Sequence, residues 1–173
     1  MAFGSASGAV PLLRNSRREA VVNRPSNVVN EGEASEREAS EGRFRTWARD
    51  LGRAAGSVNV GLQRFVVYEG HQSLPEHNHM AEEELFYVLR GRGTLLQGGE
   101  RIPVGAGDVI SFPAGTGAAH AFLADRGEDL EYLAIGERNE NDVIVYPRSE
   151  KILIRALNQL GRMGEAGYWD GER

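Results

Sequence analysis

Turn-forming residues recur along this chain at intervals that leave room only for brief strands. After Val58, segments rich in β-branched and aromatic side chains alternate with clusters of Gly, Pro, Asn and Asp. Val58 to Tyr68 ends at Glu69-Gly70, and Glu84 to Leu89 ends at Gly91-Arg-Gly93. Thr94 to Gln97 and Glu100 to Val104 flank Gly98-Gly99, the composition of a tight hairpin. Val109 to Phe112 stops at Pro113-Ala-Gly115-Thr-Gly117. Ala119 to Ala124, Leu130 to Gly136, Val143 to Tyr146 and Ile152 to Ile154 continue the series. Short strands with turns about every 8–12 residues predict an all-β barrel or sandwich.

The ends of the chain read differently. Residues 1–42 are rich in Gly, Ala, Ser, Asn, Arg and Glu, which bury little, and predict a largely irregular N-terminal tail or arm. Within it, Ser35 to Glu41 is a solvated charged stretch and Val28-Val29 is a candidate edge strand. Phe44 and Trp47 are the first large apolar anchors, so the barrel is expected over residues 43–150, with a C-terminal extension over 151–173. Asp50 to Gly56 reads as a loop and Asn158 to Gly164 as a short helical turn. Tyr168-Trp169-Asp170 is more aromatic than a free tail and is expected to dock on a surface, such as the outside of the barrel.

Bulk properties exclude several function classes. A chain of 173 residues suits one domain with appended segments and buries enough apolar surface without disulfides. It contains no Cys, which removes thiolate metal sites and Cys nucleophiles. A net charge of -5 opposes nucleic-acid binding, and residues 1–42 hold no helix-turn-helix pattern. No apolar run approaches the roughly 20 residues needed to cross a bilayer. Ala9 to Leu13 is too short for a signal-peptide core, while Arg14, Arg17 and Arg18 in an acid-free stretch only faintly resemble a transit peptide. The expectation is a cytoplasmic protein without membrane or nucleic-acid partners.

Three of the four histidines stand in one arrangement. His77 and His79 flank Asn78, Glu84 follows, and His120 lies beyond the Pro113–Gly117 turn. In a strand, residues two apart project to one side, so His77 and His79 share a face. Three imidazoles and a carboxylate form a ligand set for a first-row divalent metal such as Fe, Mn, Zn or Ni. Structural zinc sites usually rely on thiolates, and four ligands leave an octahedral ion open positions. The spacing therefore predicts one divalent transition metal per chain, placed for catalysis or ligand capture. His71 reads as a surface loop residue.

These residues resemble the two motifs of the cupin superfamily. Gly70, His77, His79, Glu84 and Gly91 follow the first motif, with one extra residue after Gly70. Gly107, Pro113, Gly115 and His120 follow the second, with two extra residues before His120 and Ala124 in place of the terminal Asn. Glu83 to Leu89, Phe112 to Gly115, Tyr132 to Gly136 and Asp142 to Pro147 are similar to segments of small single-domain bacterial cupins of the cupin 2 type. The resemblance covers about residues 58–147. It implies a double-stranded β-helix, or jelly-roll, barrel with an N-terminal extension, an RmlC-like fold and a homodimer.

Phe65, Tyr68, Phe86, Phe112, Phe122 and Tyr132 are the candidate pocket-lining residues, each also suited to core packing. Arg64 and Arg101 are candidates for receiving a substrate carboxylate, and Glu83 for supporting the metal ligands. Ser111 has no base partner in sequence, so no dedicated nucleophile is evident. Fold alone names no reaction. The expected function is a metal-dependent enzyme of dioxygenase, lyase or isomerase type acting on a small polar or carboxylated molecule. The alternatives are a non-catalytic small-molecule binder or sensor, and a cupin with a structural metal. The absence of a further inward His or Glu slightly favours the binder.

Overall fold

The computed structural model describes residues 24–172, so the features read over residues 1–18 lie outside it. Thirteen strands account for about half of the described chain: β1 (Glu36–Glu41), β2 (Phe44–Asp50), β3 (Val60–Val67), β4 (Asn78–His79), β5 (Glu84–Arg90), β6 (Arg92–Gln97), β7 (Glu100–Gly105), β8 (Val109–Phe112), β9 (His120–Ala124), β10 (Leu130–Glu137), β11 (Val143–Tyr146), β12 (Lys151–Ile154) and β13 (Gln159–Arg162). They form a six-stranded sheet in the order β1-β2-β3-β10-β5-β8, a four-stranded sheet β13-β12-β11-β4 and a three-stranded sheet β7-β6-β9. All the strand pairs are antiparallel. The all-β jelly-roll expectation holds.

Alternation along the strands builds the core. Phe65 and Val67 on β3, Phe86 and Val88 on β5, and Leu130 and Tyr132 on β10 are buried and turn inward from the six-stranded sheet. Leu95, Phe122 and Ala124 meet them from the three-stranded sheet. Phe122 packs 5.1 Å from Phe86 and 4.7 Å from Tyr132, ring centre to ring centre. Offset and edge-on aromatic contacts of this kind add to simple burial.

Glycine is required at two turns in particular. Gly98 and Gly99 both have positive φ, at 56° and 90°, between the paired Gln97 and Glu100. This is the hairpin geometry that the Gly-Gly pair predicts. Gly91 has φ 83°, and a Cβ there would lie 2.0 Å from the Asp129 carbonyl oxygen. Backbone therefore passes where any other residue would place its side chain.

Several local expectations are corrected. Val28-Val29 forms no strand, because the Pro25–Asn27 turn returns the Val28 N–H to the Pro25 carbonyl. The loop read over Asp50 to Gly56 contains a one-turn helix, α1 (Leu51–Ala54), capped by the Asp50 side chain on the Arg53 N–H. The helical turn read over Asn158 to Gly164 is instead β13: Asn158, at φ 47°, reverses the chain, and β12 offers an open edge to pair with. Tyr168 and Trp169 pack on each other and are 86% and 67% exposed, so they do not dock on the barrel. The charged Glu36–Glu41 segment is solvated as read, but it pairs along its whole length with β2. Among the described residues no helix is long and apolar enough to cross a membrane.

Replacing Gly91 by Ala is expected to lower unfolding stability by about 2 kcal/mol or more, through positive-φ strain and the Asp129 clash. Urea denaturation measures it, and a wild-type midpoint would show that the turn relaxes freely.

Candidate metal centre

Backbone pairing assembles the four predicted residues from separate parts of the chain. The His77 N–H donates to the His120 carbonyl at 3.2 Å, and the His120 N–H returns to the His77 carbonyl at 2.9 Å. The two residues thus stand opposite each other, with ring centres 5.1 Å apart. His79 lies two residues on, its ring 5.3 Å from that of His77, and pairs with Ile144 of β11. Glu84 opens β5 opposite Phe112 and Gly136, on the inward parity shared with Phe86 and Val88.

Each imidazole is anchored through Nδ1. His77 Nδ1 lies 2.8 Å from the Pro75 carbonyl, His120 Nδ1 3.4 Å from the Ala118 carbonyl, and His79 Nδ1 2.6 Å from Asp142 Oδ2. Carbonyls and carboxylates only accept, so the hydrogen sits on Nδ1 and the neutral ring presents a lone pair at Nε2. Those nitrogens meet Glu84: His120 Nε2 is 3.1 Å and His79 Nε2 3.4 Å from Glu84 Oε2. One ligand atom from each of His77, His79 and Glu84 fits within 4.8 Å of the others. Glu84 Oε2 and His120 Nε2 are buried without a hydrogen-bond partner. Lone pairs crowded together and shielded from water are costly unless a cation or proton lies between them. The donor set and its two orphaned atoms fit a divalent metal.

Burial, then the proximity of the His120 imidazole, pushes His77 down to about 4. Burial opposes the charged form of Glu84, but the contact with His120 and the fields of the surrounding histidines outweigh it. Its carboxyl is held below the usual range.

Behind the four residues lies a set that the sequence reading missed. Asp142 is fully buried, and its second oxygen accepts the Ala81 N–H at 2.9 Å. Glu82, also buried, accepts from the Asn139 N–H and from Arg155 Nη1, both at 2.6 Å. His79, Glu82 and Asp142 lie close enough to form a second metal-like group. Both Asp142 oxygens and Glu82 Oε1, however, are already engaged by donors, so these residues support rather than coordinate. The reading that no further inward acid exists is therefore corrected. The supporting residue is Glu82, not Glu83, which is exposed. Extended-chain parity carried the signal, since Glu82 shares a side with Glu84 and Glu83 does not.

A cavity of about 240 Å³ opens onto His77, His79, Glu84 and His120. Phe65, Phe86, Phe122 and Tyr132 line it, together with Tyr146 and Arg155. Tyr146 stacks on His77 with ring centres 5.8 Å apart, a placement not read from sequence. Phe112 stands behind the site, stacked on His120 at 3.7 Å, instead of lining this cavity. Tyr68 is away from it, its ring beneath the Arg45 guanidinium at 4.3 Å. Arg64 is paired with Glu31 and Glu131, and Arg101 is exposed on β7, so neither reaches the cavity. Ser111 is exposed on β8, and His71 Nδ1 lies 2.8 Å from the Glu69 carbonyl, away from the site. A larger cleft of about 830 Å³, lined by residues such as Arg53, Arg138 and Leu153, touches none of the four.

Comparison with known proteins agrees with this architecture. Residues 64–136 match the family model of the Cupin domain. The Oxalate-binding protein of Thermotoga maritima is 36% identical over 59 residues, 34% of this chain and 47% of that protein. The chain thus spans about half the length of that curated relative. A solved structure from Acidithiobacillus ferrooxidans, named for sugar phosphate isomerase, is 27% identical, with a TM-score of 0.71 over 82% of this chain and 98% of its own. A cupin 2 conserved barrel domain protein from Rhodopseudomonas palustris shares the fold at 22% identity and a TM-score of 0.53, over 64% of this chain and 78% of its own. With His77, His79, Glu84 and His120 brought together within an antiparallel jelly roll, residues 64–136 form a cupin domain of the cupin 2 type.

Proposed function

We propose that His77, His79, Glu84 and His120 hold one divalent transition metal per chain, of the Fe, Mn, Zn or Ni kind, and that the protein is an enzyme acting on a small polar molecule in the adjoining cavity. The observation that carries this is the pair of orphaned atoms, Glu84 Oε2 and His120 Nε2, 3.1 Å apart at the cavity floor. A metal bound there supplies Lewis-acid polarisation of a substrate oxygen. Isomerase or lyase chemistry is favoured within this class by the likeness to the Acidithiobacillus ferrooxidans protein, which extends over 82% of this chain.

The chain's own groups have definable parts. Asp142 fixes the His79 ring with its Nε2 toward Glu84, the outer-sphere arrangement that orients metal-binding histidines. Phe65, Phe86, Phe122 and Tyr132 limit water at the floor. Burial pushes the Tyr132 phenol up, so it remains a neutral wall. Burial also raises Tyr146, leaving a protonated hydroxyl on a cavity-lining residue that can donate to a bound oxygen. A second reading, a non-catalytic binder, draws on the 36% identity to the Oxalate-binding protein. Specific binding of a small molecule without turnover of it would select that reading. Pairing of two copies remains part of the proposal, and a monomer mass by light scattering counts against it.

Elemental analysis of protein purified without added metal is expected to give about one transition metal per chain. His77→Ala and His79→Ala are expected to abolish it. Wild-type protein that stays metal-free after reconstitution overturns the reading. Asp142→Ala is expected to weaken metal affinity about 10–100-fold in a chelator competition; unchanged affinity would mean Asp142 is dispensable to His79. The metal-free protein should also lose stability as pH falls from 6.5 toward about 4, because the unfolded chain protonates His77 before the folded one does. The His77→Gln variant should lack that component in its thermal midpoint against pH. An identical pH profile in the two proteins would rule it out.

A further inference from the structure

One cross-strand row on the inner face of the six-stranded sheet ends in a charge. Arg37 on β1 stands opposite Ala48 on β2, Ala48 opposite Phe65 on β3, and Phe65 opposite Tyr132 on β10. Ala48, Phe65 and Tyr132 are 2%, 7% and 2% exposed, so the row is core until its last member. The small Ala48 leaves Arg37 room to reach across β2. Its guanidinium lies 5.8 Å from the Phe65 ring centre, and its Nη2 donates to the Gln63 side-chain oxygen. Gln63 shares its strand and face with Phe65 and sits opposite Ala134, another small residue. Arg37, Gln63 and Ala134 line the same cavity as the four candidate ligands.

The pairing of this guanidinium differs from that of Arg155. The Arg155 guanidinium is committed to Glu82 at 2.6 Å and approaches Asp142 at 3.9 Å. Arg37 meets only an amide oxygen and a ring face, and makes no ion pair among the described residues. An arginine fork held by a neighbouring amide, beside a small cavity, is suited to a carboxylate or phosphate, which it binds through parallel N–H donors. The 240 Å³ cavity is below the usual 300–1,000 Å³ range of ligand pockets, which limits the occupant to a small molecule.

We propose that Arg37 and Gln63 form an anion-recognising subsite, and that the molecule bound in the cavity carries a carboxylate or phosphate group. The subsite rests on reading this cavity as the ligand site, but its test needs no metal. β1 supplies Arg37 from outside the region 64–136 that matches the family, so the N-terminal segment selects the ligand while the barrel holds the reactive centre.

Calorimetric titration of the metal-free full-length protein with malonate, inorganic phosphate and neutral malonamide tests it. Wild type is expected to bind at least one anion saturably, with Kd on the order of 1 mM, and malonamide much more weakly. Arg37→Ala should weaken anion binding by roughly tenfold, with partial recovery in Arg37→Lys and no change toward malonamide. Binding of phosphate alone assigns a phosphate ester, and binding of malonate alone a carboxylate; either supports the subsite. Gln63→Leu, expected to give a smaller loss, serves if Arg37→Ala does not fold. No anion binding by wild type, or Arg37→Ala binding within about twofold of wild type, overturns the proposal. A parallel Mn(II) titration separates the two readings. Arg37-dependent anion binding without Mn(II) binding sinks only the metal, and Mn(II) binding without Arg37 dependence sinks only the subsite.

Discussion

Two backbone hydrogen bonds between His77 and His120 hold the site together. They join the segment leading into β4 to the start of β9, elements that belong to different sheets. Each residue donates to and accepts from the other, so neither ring can shift along its strand without breaking both bonds. The pairing sets His77 against His120, strand alternation places His79 two positions on, and β5 brings Glu84 from the six-stranded sheet. The aromatic core behind them, Phe86, Phe122 and Tyr132, fixes the spacing between sheets.

The electrostatic arrangement follows from that geometry. Hydrogen-bond acceptors stand behind the three rings at Pro75, Ala118 and Asp142, and they draw the imidazole hydrogens outward. The lone pairs are left to converge on Glu84. Such a cluster is unfavourable by itself and becomes favourable when a cation enters, which is how a metal site differs from a packed core. Glu82 and Asp142, equally buried, avoid this crowding because Arg155, Asn139, Ala81 and His79 donate to them.

The strand series, the Gly98-Gly99 hairpin and the grouping of His77, His79, Glu84 and His120 were legible in the sequence. They depend on local rules: side-chain alternation, the backbone freedom of glycine and the chemistry of ligand types. Phe65, Phe86, Phe122 and Tyr132 were legible as cavity wall for the same reason, since they sit on inward parity. Tyr68 was misread because β3 ends at Val67 and the ring turns out toward Arg45. The segment after Asn158 was misread because a strand at a sheet edge needs a neighbour to pair with, and β12 supplies it.

By itself the sequence determined an all-β chain carrying three histidines and a glutamate at strand spacing, because strand period and side-chain identity are properties of neighbouring residues. Only the tertiary structure decided that Asp142 backs His79, that Glu82 faces inward while Glu83 does not, and that Arg37 rather than Arg64 or Arg101 reaches the cavity. These are choices among chemically similar side chains far apart in the chain. Which of them meet is set by the register of strand pairs such as β1 with β2 and β4 with β11, and that register exists only once the sheets have closed around their core.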